Sequence, residues 1–340
     1  MENFQHDEVT RFADVRRKVG RRDVLIAGGT DLVPLMRDGL VTPRTVVNLK
    51  TIRNGATIRA SRTGATFGAL ALVADIAAHA GVRRAFPSLA AACDAVGTPQ
   101  IRNMATLGGN LCQRIRCWYF RQNVPCHKTG SRGCPAVEGL NEYLGILGGG
   151  PCHAPHPSDP AVALAALDAT IVVRLGRFPG LAPGVSKSIR SRAGRRTDPA
   201  RKRGDPGTIR LSISDLYATA HRRGDSETIL RPGDVIEQIR LPSRYAGARQ
   251  IYVKATQRAE WDFALVSVAV VWPRGRGSKP RVVLGGVAPQ PWEVEIRDAG
   301  KGKAWAQRVA EAAIGAARPL SQNAYKVDLA RNLIAEALVS

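Results

Sequence analysis

The chain has 340 residues, 44% of them hydrophobic, with 50 Lys and Arg against 28 Asp and Glu and a formal net charge of +22. This length allows two or three domains with ample core. The longest wholly apolar runs fall far short of the roughly 20 residues that span a bilayer, so we expect no membrane insertion. Aromatic residues make up 5% and no nucleic-acid-binding motif accompanies the charge, so we expect no nucleic-acid partner.

Two Gly-Gly pairs in the first third of the chain stand out. An apolar strand over residues 24–27 runs into Gly28-Gly29-Thr30, and a second pair follows in 105–111. Turns of this kind expose bare backbone N–H groups, and the two together could hold the two ends of one pyrophosphate. A plain turn is the competing interpretation of each. Neither segment has the pattern of a Rossmann dinucleotide site or of a P-loop.

Two helices are predicted around these turns. The Ala-rich run 89–96 carries Cys93, which we interpret as a small buried hydrophobe. The apolar run 161–167 follows Asp159-Pro160, a good helix start with Asp159 as N-cap and Pro160 at the first helical position.

Five of the six cysteines lie between Cys112 and Cys152. Such density in one segment of a long chain favours a metal or redox site, because disulfide frameworks belong to short secreted chains and no signal peptide is recognisable here. From Cys117, eight, seven and seventeen residues separate the successive cysteines, without the closely spaced pairs of structural zinc sites.

An iron–sulfur cluster tolerates this wide spacing, since its thiolates need only converge on one core. Pro or Gly accompanies Cys126, Cys134 and Cys152, which is typical of a loop rather than a helix or strand. Cys112 is the surplus thiol, and we interpret it, like Cys93, as a buried hydrophobe. Core packing of all the cysteines is the alternative.

The later part of the chain contains a basic segment and a third unit. Residues 174–210 hold eleven Lys and Arg against two Asp, with little apolar periodicity, so we expect a solvated loop that could dock on acidic partner surfaces. From about 230 we predict alternating strands (268–272 and 281–287) and helices. The last helix, 323–338, is predicted to present Tyr325, Leu329 and Leu333 as one apolar stripe.

Several runs resemble the FAD-binding subunit of molybdenum hydroxylases, the group with xanthine dehydrogenase, carbon monoxide dehydrogenase and bacterial aldehyde oxidoreductases. They are AGGTDLVPLM (27–36), PQIRNMATLGGNLCQRIRCWYFR (99–121), HPSDPAVALAALDA (156–169), FALVSVAV (263–270), VVLGGVAPQPW (282–292) and PLSQNAYKVDLARNLI (319–334). The cysteine loop is similar to the branch that carries an extra [4Fe–4S] cluster.

The resemblance implies an α+β fold. It has a two-part FAD-binding domain of the vanillyl-alcohol-oxidase/p-cresol-methylhydroxylase type, followed by a C-terminal α/β domain of the CO dehydrogenase flavoprotein type. The expected parts are 1–60, then 61–217 with the cluster loop 112–156 and the basic insertion 176–208, then 230–340. The implied cluster ligands are Cys117, Cys126, Cys134 and Cys152.

The FAD contacts that the resemblance implies lie in the two glycine turns and at five other positions. They are Ile26, Ala27, Gly28, Gly29, Thr30, Asp31, Leu32, Val96, Thr106, Gly108, Gly109, Asn110, Ser158, Asp159, Ile236 and Lys254. Ile236 would lie beside the flavin ring, with the Lys254 cation nearby to stabilise the anionic reduced flavin. From the residues alone, Asp159 is a helix start and Lys254 a solvated side chain.

The function implied by the resemblance is electron transfer. A molybdopterin-binding large subunit would oxidise an aldehyde, xanthine or another N-heterocycle, and a small [2Fe–2S] subunit would pass the electrons to FAD on this chain and on to an external acceptor. The heterotrimer would be cytoplasmic, or periplasmic if a partner carries an export signal.

Two alternative functions remain. A stand-alone FAD oxidase would need a local acid/base group, but none of the six His lies in a recognisable catalytic arrangement. A zinc-stabilised interaction protein would have no need of the glycine turns.

Overall fold

A computed structural model describes residues 1–177, 207–218, 226–275 and 277–340. The basic insertion predicted over 176–208 therefore lies almost entirely outside the described residues. No helix in the described ranges is both long and apolar enough to cross a membrane.

The N-terminal unit is a small parallel sheet with two helices. Its strands run in the order β1-β3-β2, and its elements are β1 (Gln5–Glu8), α1 (Phe12–Lys18), β2 (Asp23–Ile26), α2 (Leu32–Arg37) and β3 (Thr45–Asn48). Strand β2 confirms the strand predicted ahead of the first glycine pair. Strand β2 pairs with β3 in parallel. The glycines that follow β2 therefore lie at the carboxyl ends of the strands.

The middle unit is a five-stranded antiparallel sheet in the order β4-β5-β8-β6-β7. Its strands are β4 (Ile58–Ser61), β5 (Gly64–Gly68), β6 (Thr170–Arg174), β7 (Thr208–Ser212) and β8 (Val235–Pro242). Its α-helices are α3 (Val73–Ala78), α4 (Ala80–Ala85), α5 (Pro87–Asp94), α6 (Pro99–Arg102), α7 (Leu107–Leu111), α8 (Trp118–Arg121), α9 (Asp159–Ala166) and α10 (Ile213–Leu216). Short 3₁₀ turns lie at His127–Thr129 and Ser243–Tyr245.

The largest core cluster joins this sheet to α5 and α9. Phe67 and Ile239 of the sheet, Leu89 of α5 and Leu164 of α9 are all fully buried in it. Cys93 is also buried there, as predicted. Strand β8 completes this sheet, so the sheet of the C-terminal unit begins only at Arg249, later than the predicted start near 230.

The C-terminal unit is a four-stranded antiparallel sheet covered by two helices. The sheet order is β12-β11-β10-β9, and the elements are β9 (Arg249–Ala255), β10 (Val266–Trp272), β11 (Arg281–Gly285), β12 (Trp292–Val294), α11 (Gly302–Ile314) and α12 (Tyr325–Val339). Both predicted strands are confirmed as β10 and β11. The predicted alternation of strands and helices is wrong, because all four strands precede both helices.

The apolar stripe predicted for the last helix is confirmed in part, because Leu329 and Leu333 are half-buried and pack against the C-terminal core. Tyr325 is exposed, while Ala330 and Ile334 are buried against the sheet, together with Lys326. The stripe was assigned from the largest apolar side chains, but small alanines allow α12 to pack closely on the sheet. The helix therefore turns its alanine face inward.

Candidate functional site

The two glycine segments lie against each other. A Cβ on Gly28 would sit 2.1 Å from the carbonyl oxygen of Met104, just before the second segment. Gly29 has a φ of +71°, a left-handed conformation that only glycine adopts without strain. The first turn thus needs glycine at 28 for close backbone packing and at 29 for backbone conformation, and both reasons hold without any ligand.

The second glycine pair opens helix α7 instead of forming the turn that we predicted. Thr106 is its N-cap, and the hydroxyl accepts a hydrogen bond from the Gly109 N–H at 3.2 Å. Gly108 packs on Ala69, whose Cβ would lie 2.8 Å from an added Cβ. The apolar residue after Thr106 and the cap together explain why the chain turns helical here.

Asn110 connects this short helix to a large cavity. The Ser158 hydroxyl donates to Asn110 Oδ1 at 2.6 Å, and both side chains are buried. Ser158 is also the N-cap of α9, because its Oγ accepts from the Ala161 N–H at 3.1 Å. The prediction that Asp159 is the N-cap is therefore wrong, since Ser158 takes that role one residue earlier and leaves the Asp159 carboxylate available for other partners.

The cavity has a volume of about 550 Å³ and lies between the middle and C-terminal units. The cysteine loop supplies one wall, with Trp118, Tyr119 and Tyr143, and the segment after β9 supplies another, with Phe263. Of the sixteen predicted FAD contacts, Ser158 and Asp159 line it. The remaining fourteen do not, and they are Ile26, Ala27, Gly28, Gly29, Thr30, Asp31, Leu32, Val96, Thr106, Gly108, Gly109, Asn110, Ile236 and Lys254.

Asp159 holds a buried polar network beside this cavity. Its Oδ2 accepts from Lys254 Nζ at 2.8 Å and its Oδ1 from the Tyr252 hydroxyl at 2.6 Å. Lys254 Nζ also donates to the carbonyl oxygens of Ala95 at 2.8 Å and Asp262 at 2.9 Å. Burial raises the pKa of Asp159, and Lys254 opposes that rise. The Lys254 ammonium has three acceptors within the protein, so its charge is directed at Asp159 and not into the cavity.

Sequence reasoning missed Tyr252 and its role. Tyr252 and Lys254 are two residues apart on β9, and the period-2 geometry of a strand places both side chains on one face. That spacing was the available signal, but only the fold shows that Asp159 faces them.

His156 is a second polar residue at the cavity that the sequence did not single out. Its Nδ1 accepts from the Ser158 N–H at 3.3 Å, and its ring lies 4.2 Å from the Tyr217 ring. Burial lowers its pKa to about 3. The imidazole is therefore neutral with the proton on Nε2, a buried atom without a hydrogen-bond partner among the described residues.

Asp31 was predicted within the first FAD loop, and the structure shows it as an anchor for the cysteine loop. Its Oδ1 lies 2.8 Å from both Arg116 Nη1 and Arg121 Nη2, and its Oδ2 accepts from the Arg114 N–H at 2.7 Å. Arg116 in turn stacks over Phe263, with 4.8 Å between the guanidinium carbon and the ring centre. These contacts tie the first turn, the cysteine loop and the C-terminal unit together.

The four cysteines predicted as ligands surround one small cavity. Cys117, Cys126, Cys134 and Cys152 all line it, whereas Cys93 and Cys112 do not. None of the four lies inside a helix or strand, which confirms the predicted loop. All six thiols are free, and Cys112 is exposed, so the prediction that it is buried is wrong. It follows the last residue of α7, outside the core formed by the cysteine loop.

The thiols are grouped but not yet arranged for coordination. The cavity has a volume of about 10 Å³, and within the described ranges no three His, Cys, Asp or Glu side chains stand ready to hold a metal ion. Burial raises the pKa of Cys117 and, to about 11, that of Cys152, where Lys128 favours the thiolate. The donor set suits a thiolate-bound cluster, but a cluster needs more space than this cavity offers, and binding would displace the thiol protons.

Comparisons with known proteins agree with this architecture. Residues 3–177 match the family described as "FAD binding domain in molybdopterin dehydrogenase", and 251–340 match the "CO dehydrogenase flavoprotein C-terminal domain". The chain is 36% identical over 319 residues to the aldehyde oxidoreductase FAD-binding subunit PaoB of Escherichia coli, covering 92% of this chain and 89% of that protein. The chain belongs to the FAD-binding subunits of the molybdenum hydroxylases.

Other proteins are similar to this chain at lower sequence identity. The glyceraldehyde dehydrogenase medium chain of Sulfolobus acidocaldarius is 24% identical, over 81% of this chain and 73% of that one. Carbon monoxide dehydrogenase of Hydrogenophaga pseudoflava has the same fold, with a TM-score of 0.69 and 20% identity over 99% of this chain and 96% of that chain. Quinoline 2-oxidoreductase of Pseudomonas putida 86 gives 0.68 and 17% over the same shares. The predicted fold class is thereby confirmed.

Proposed function

We propose that this chain is the FAD- and [4Fe–4S]-binding electron-transfer subunit of a molybdenum-dependent aldehyde oxidoreductase. Its partners in the heterotrimer are a molybdopterin-binding large subunit and a [2Fe–2S] small subunit. The observation that carries the proposal is the convergence of four free cysteines on one cavity beside a second cavity of about 550 Å³. The 36% identity of this chain to an aldehyde oxidoreductase subunit supports aldehydes as the substrate class. Xanthine and other N-heterocycles are the alternative.

The residues around the large cavity suit a flavin. Phe263 and Tyr143 offer aromatic surface, and the buried His156 Nε2 proton lacks an acceptor among the described residues. The first glycine turn and the glycines that open α7 suit a pyrophosphate, because the Gly28 backbone lies against the Met104 carbonyl with no side chain between them. Bound FAD would supply the ability to accept single electrons and deliver pairs, while the protein supplies orientation and electrostatics.

In this function, the chain's own residues hold the cavity wall and the cysteine loop in place. The Asp159, Lys254 and Tyr252 network fixes the wall behind Ser158. Asp31 holds the cysteine loop against the first turn, and the loop residues Cys117, Tyr119 and Leu144 line both cavities. In this role the chain passes electrons from the small subunit's clusters to an external acceptor.

Iron analysis of cysteine variants tests the cluster assignment. Cys117→Ser, Cys126→Ser, Cys134→Ser and Cys152→Ser should each lose iron and sulfide, since thiolates are the usual ligands of such clusters. Cys112→Ser and Cys93→Ser are the matched controls and should retain both. Full iron content in Cys134→Ser would overturn the assignment, and zinc in place of iron would support the zinc-stabilised alternative.

Turnover by the isolated chain tests the assignment as a subunit. The purified chain should carry flavin and a broad brown absorbance yet oxidise no aldehyde, and activity should appear when both partner subunits are added. Two carboxylates that line the described cavity are already engaged: Asp159 by Lys254 and Tyr252, and Asp262 by the Gln257 and Arg258 N–H groups. Aldehyde oxidation by the chain alone would instead identify a stand-alone oxidase.

A further inference from the structure

Residues 142–146 form a loop in the wall that borders both cavities. Glu142, Tyr143 and Leu144 line the large cavity, and Leu144 also lines the cysteine cavity. The loop contains no helix or strand, so its backbone carbonyls are not paired within regular secondary structure. Buried carbonyl groups of this kind must find donors elsewhere in the molecule.

The donors for all five carbonyls come from one stretch of the chain, residues 318–326, which we call the clamp. It comprises the segment before α12 and the first two residues of that helix. The Glu142 oxygen accepts from the Tyr325 hydroxyl at 3.0 Å, the Tyr143 oxygen from Lys326 Nζ at 3.0 Å, the Leu144 and Gly145 oxygens from Asn323 Nδ2 at 3.2 and 3.3 Å, and the Ile146 oxygen from the Arg318 N–H at 2.7 Å. Because the acceptors are backbone oxygens, the clamp fixes the path of the loop itself.

Two of the clamp side chains are fully buried. Asn323 and Lys326 are both 0% exposed, and Lys326 lies on the same inward face of α12 as Ala330 and Ile334. An amide or ammonium in such a place is costly unless it is hydrogen-bonded, and an apolar side chain would attach α12 to the sheet at less cost. The carbonyls that these two donors hold therefore explain why they are polar.

Lys326 also joins two sides of the large cavity. Its Nζ donates to the Tyr143 oxygen in the loop and, at 3.0 Å, to the Gly286 oxygen just after β11. Tyr143 and Gly286 both line the cavity, so one ammonium holds two separate parts of its wall. Asn323 acts further along the loop, at Leu144, the residue that the wall shares with the cysteine cavity.

We propose that the clamp holds this wall in the shape that binds flavin, with Lys326 as the positioning residue for the large cavity. The inference rests on the proposed function. A wall that is already fixed binds a rigid ligand more tightly than a wall that the ligand must order, because ordering a loop on binding reduces the affinity. Lys326 itself does not line the cavity, so it acts through Tyr143 and Gly286.

Titration of the purified full-length chain with FAD, after removal of its bound flavin, tests this role. Lys326→Met removes the ammonium from a side chain of similar length, and the Kd for FAD should rise at least tenfold while the iron content is unchanged. At saturating FAD, the visible circular dichroism of the bound flavin should also differ from wild type, because a displaced wall changes the surroundings of the ring. A loss of overall stability alone would not change that spectrum. Lys303→Met removes the same charge from an exposed position on α11 and should change neither the Kd nor the spectrum.

Asn323→Ala gives a second test with a different pattern. It releases Leu144 at the border of both cavities, so the FAD affinity and the iron content should both fall. This variant decides the matter if Lys326→Met does not fold. A wild-type Kd and flavin spectrum in folded Lys326→Met, or unchanged FAD affinity in folded Asn323→Ala, overturns the inference while the FAD assignment stands. A wild-type chain that binds no FAD would instead overturn the proposed function itself.

Discussion

Asp159 and Lys254 show how one buried pair organises the region around the large cavity. Their side chains are 6% and 8% exposed, and they join residues 95 positions apart in the chain. The Lys254 ammonium also holds the carbonyls of Ala95 and Asp262, so three segments depend on it. The main role of Lys254 is therefore to fix the position of the cavity wall.

Lys254→Met should destabilise the protein by about 3–5 kcal/mol, because it leaves the Asp159 carboxylate buried without its cation. Lys18→Met breaks an exposed ion pair with Asp7, at 2.6 Å, and should have little effect on stability because solvent screens exposed pairs. Urea unfolding of both variants measures the difference. Equal effects would show that the Asp159 network contributes little to folding.

The pH dependence of Lys254→Met has a definite sign. Burial already raises the pKa of Asp159, and without Lys254 only the Tyr252 hydroxyl opposes that rise. The folded variant then binds a proton more readily than the unfolded chain, so its stability increases as the pH falls. The gap in unfolding free energy between wild type and Lys254→Met should therefore shrink as the pH is lowered from neutral. A gap that widens would contradict this account.

At the scale of elements, the first glycine turn and the end of α2 make a matched comparison. Gly29 and Gly39 have φ values of +71° and +72°, and an added Cβ on Gly39 meets nothing within 4 Å. Each Gly→Ala change should cost about 1 kcal/mol through backbone conformation. Only Gly29→Ala should also lower the FAD released per chain on denaturation. Equal FAD retention in the two variants would place the pyrophosphate elsewhere.

Helix α12 carries a second buried lysine, Lys326, in addition to Lys254 on β9. Lys326 Nζ donates to the carbonyl oxygens of Tyr143 and Gly286, each at 3.0 Å, and thereby joins the helix to the cysteine loop and to the end of β11. Burial lowers its pKa to about 7 from an ordinary 10.5. Between these values the unfolded chain binds the proton and the folded chain does not.

Wild-type stability should therefore rise with pH across that window relative to Lys326→Met, by at most about 1.4 kcal/mol per pH unit. Below pH 7 both states are protonated and the relative stability should become constant. Lys301→Met, at an exposed position, should not show the effect. Denaturant unfolding at several pH values checks it, and parallel pH profiles of wild type and Lys326→Met would refute it.

At the scale of the whole molecule, the net charge of +22 is concentrated in residues 174–210. We expect this charge to affect the rate of assembly with the partner subunits. Strands β6 and β7 already bring the two ends of the basic insertion together, since the Leu175 N–H donates to the Gly207 carbonyl oxygen at 2.9 Å. A short turn between Arg177 and Gly207 can therefore replace 178–206 without disturbing the sheet.

That deletion should leave flavin, iron and folding intact. If the segment docks on acidic partner surfaces, assembly with the two partners should be slower and less sensitive to salt, because exposed charges act over about 10 Å at 0.1 M salt. Assembly rates at two ionic strengths measure this. A full-length variant with the Lys and Arg of 178–206 changed to Gln separates charge from length, and identical rates in all three proteins would leave the segment without a docking role.

The sequence by itself determined the family, the strand before the first glycine pair and the loop character of the cysteines. These depend on local patterns: turn residues, strand-forming runs and cysteine spacing act over a few residues. Local patterns also identified the helix after Asp159-Pro160, although they assigned its cap to Asp159 instead of Ser158.

Only the tertiary structure decided which distant side chains meet. Lys254 with Asp159, Lys128 with Glu227, and Asp31 with Arg121 are pairs that lie 90 or more residues apart in the chain. Their partners follow from how the units pack, and no local pattern encodes that packing. The same reason explains the exposed Cys112 and the inward alanine face of α12, because burial is set by the neighbouring elements and not by a residue's own hydrophobicity.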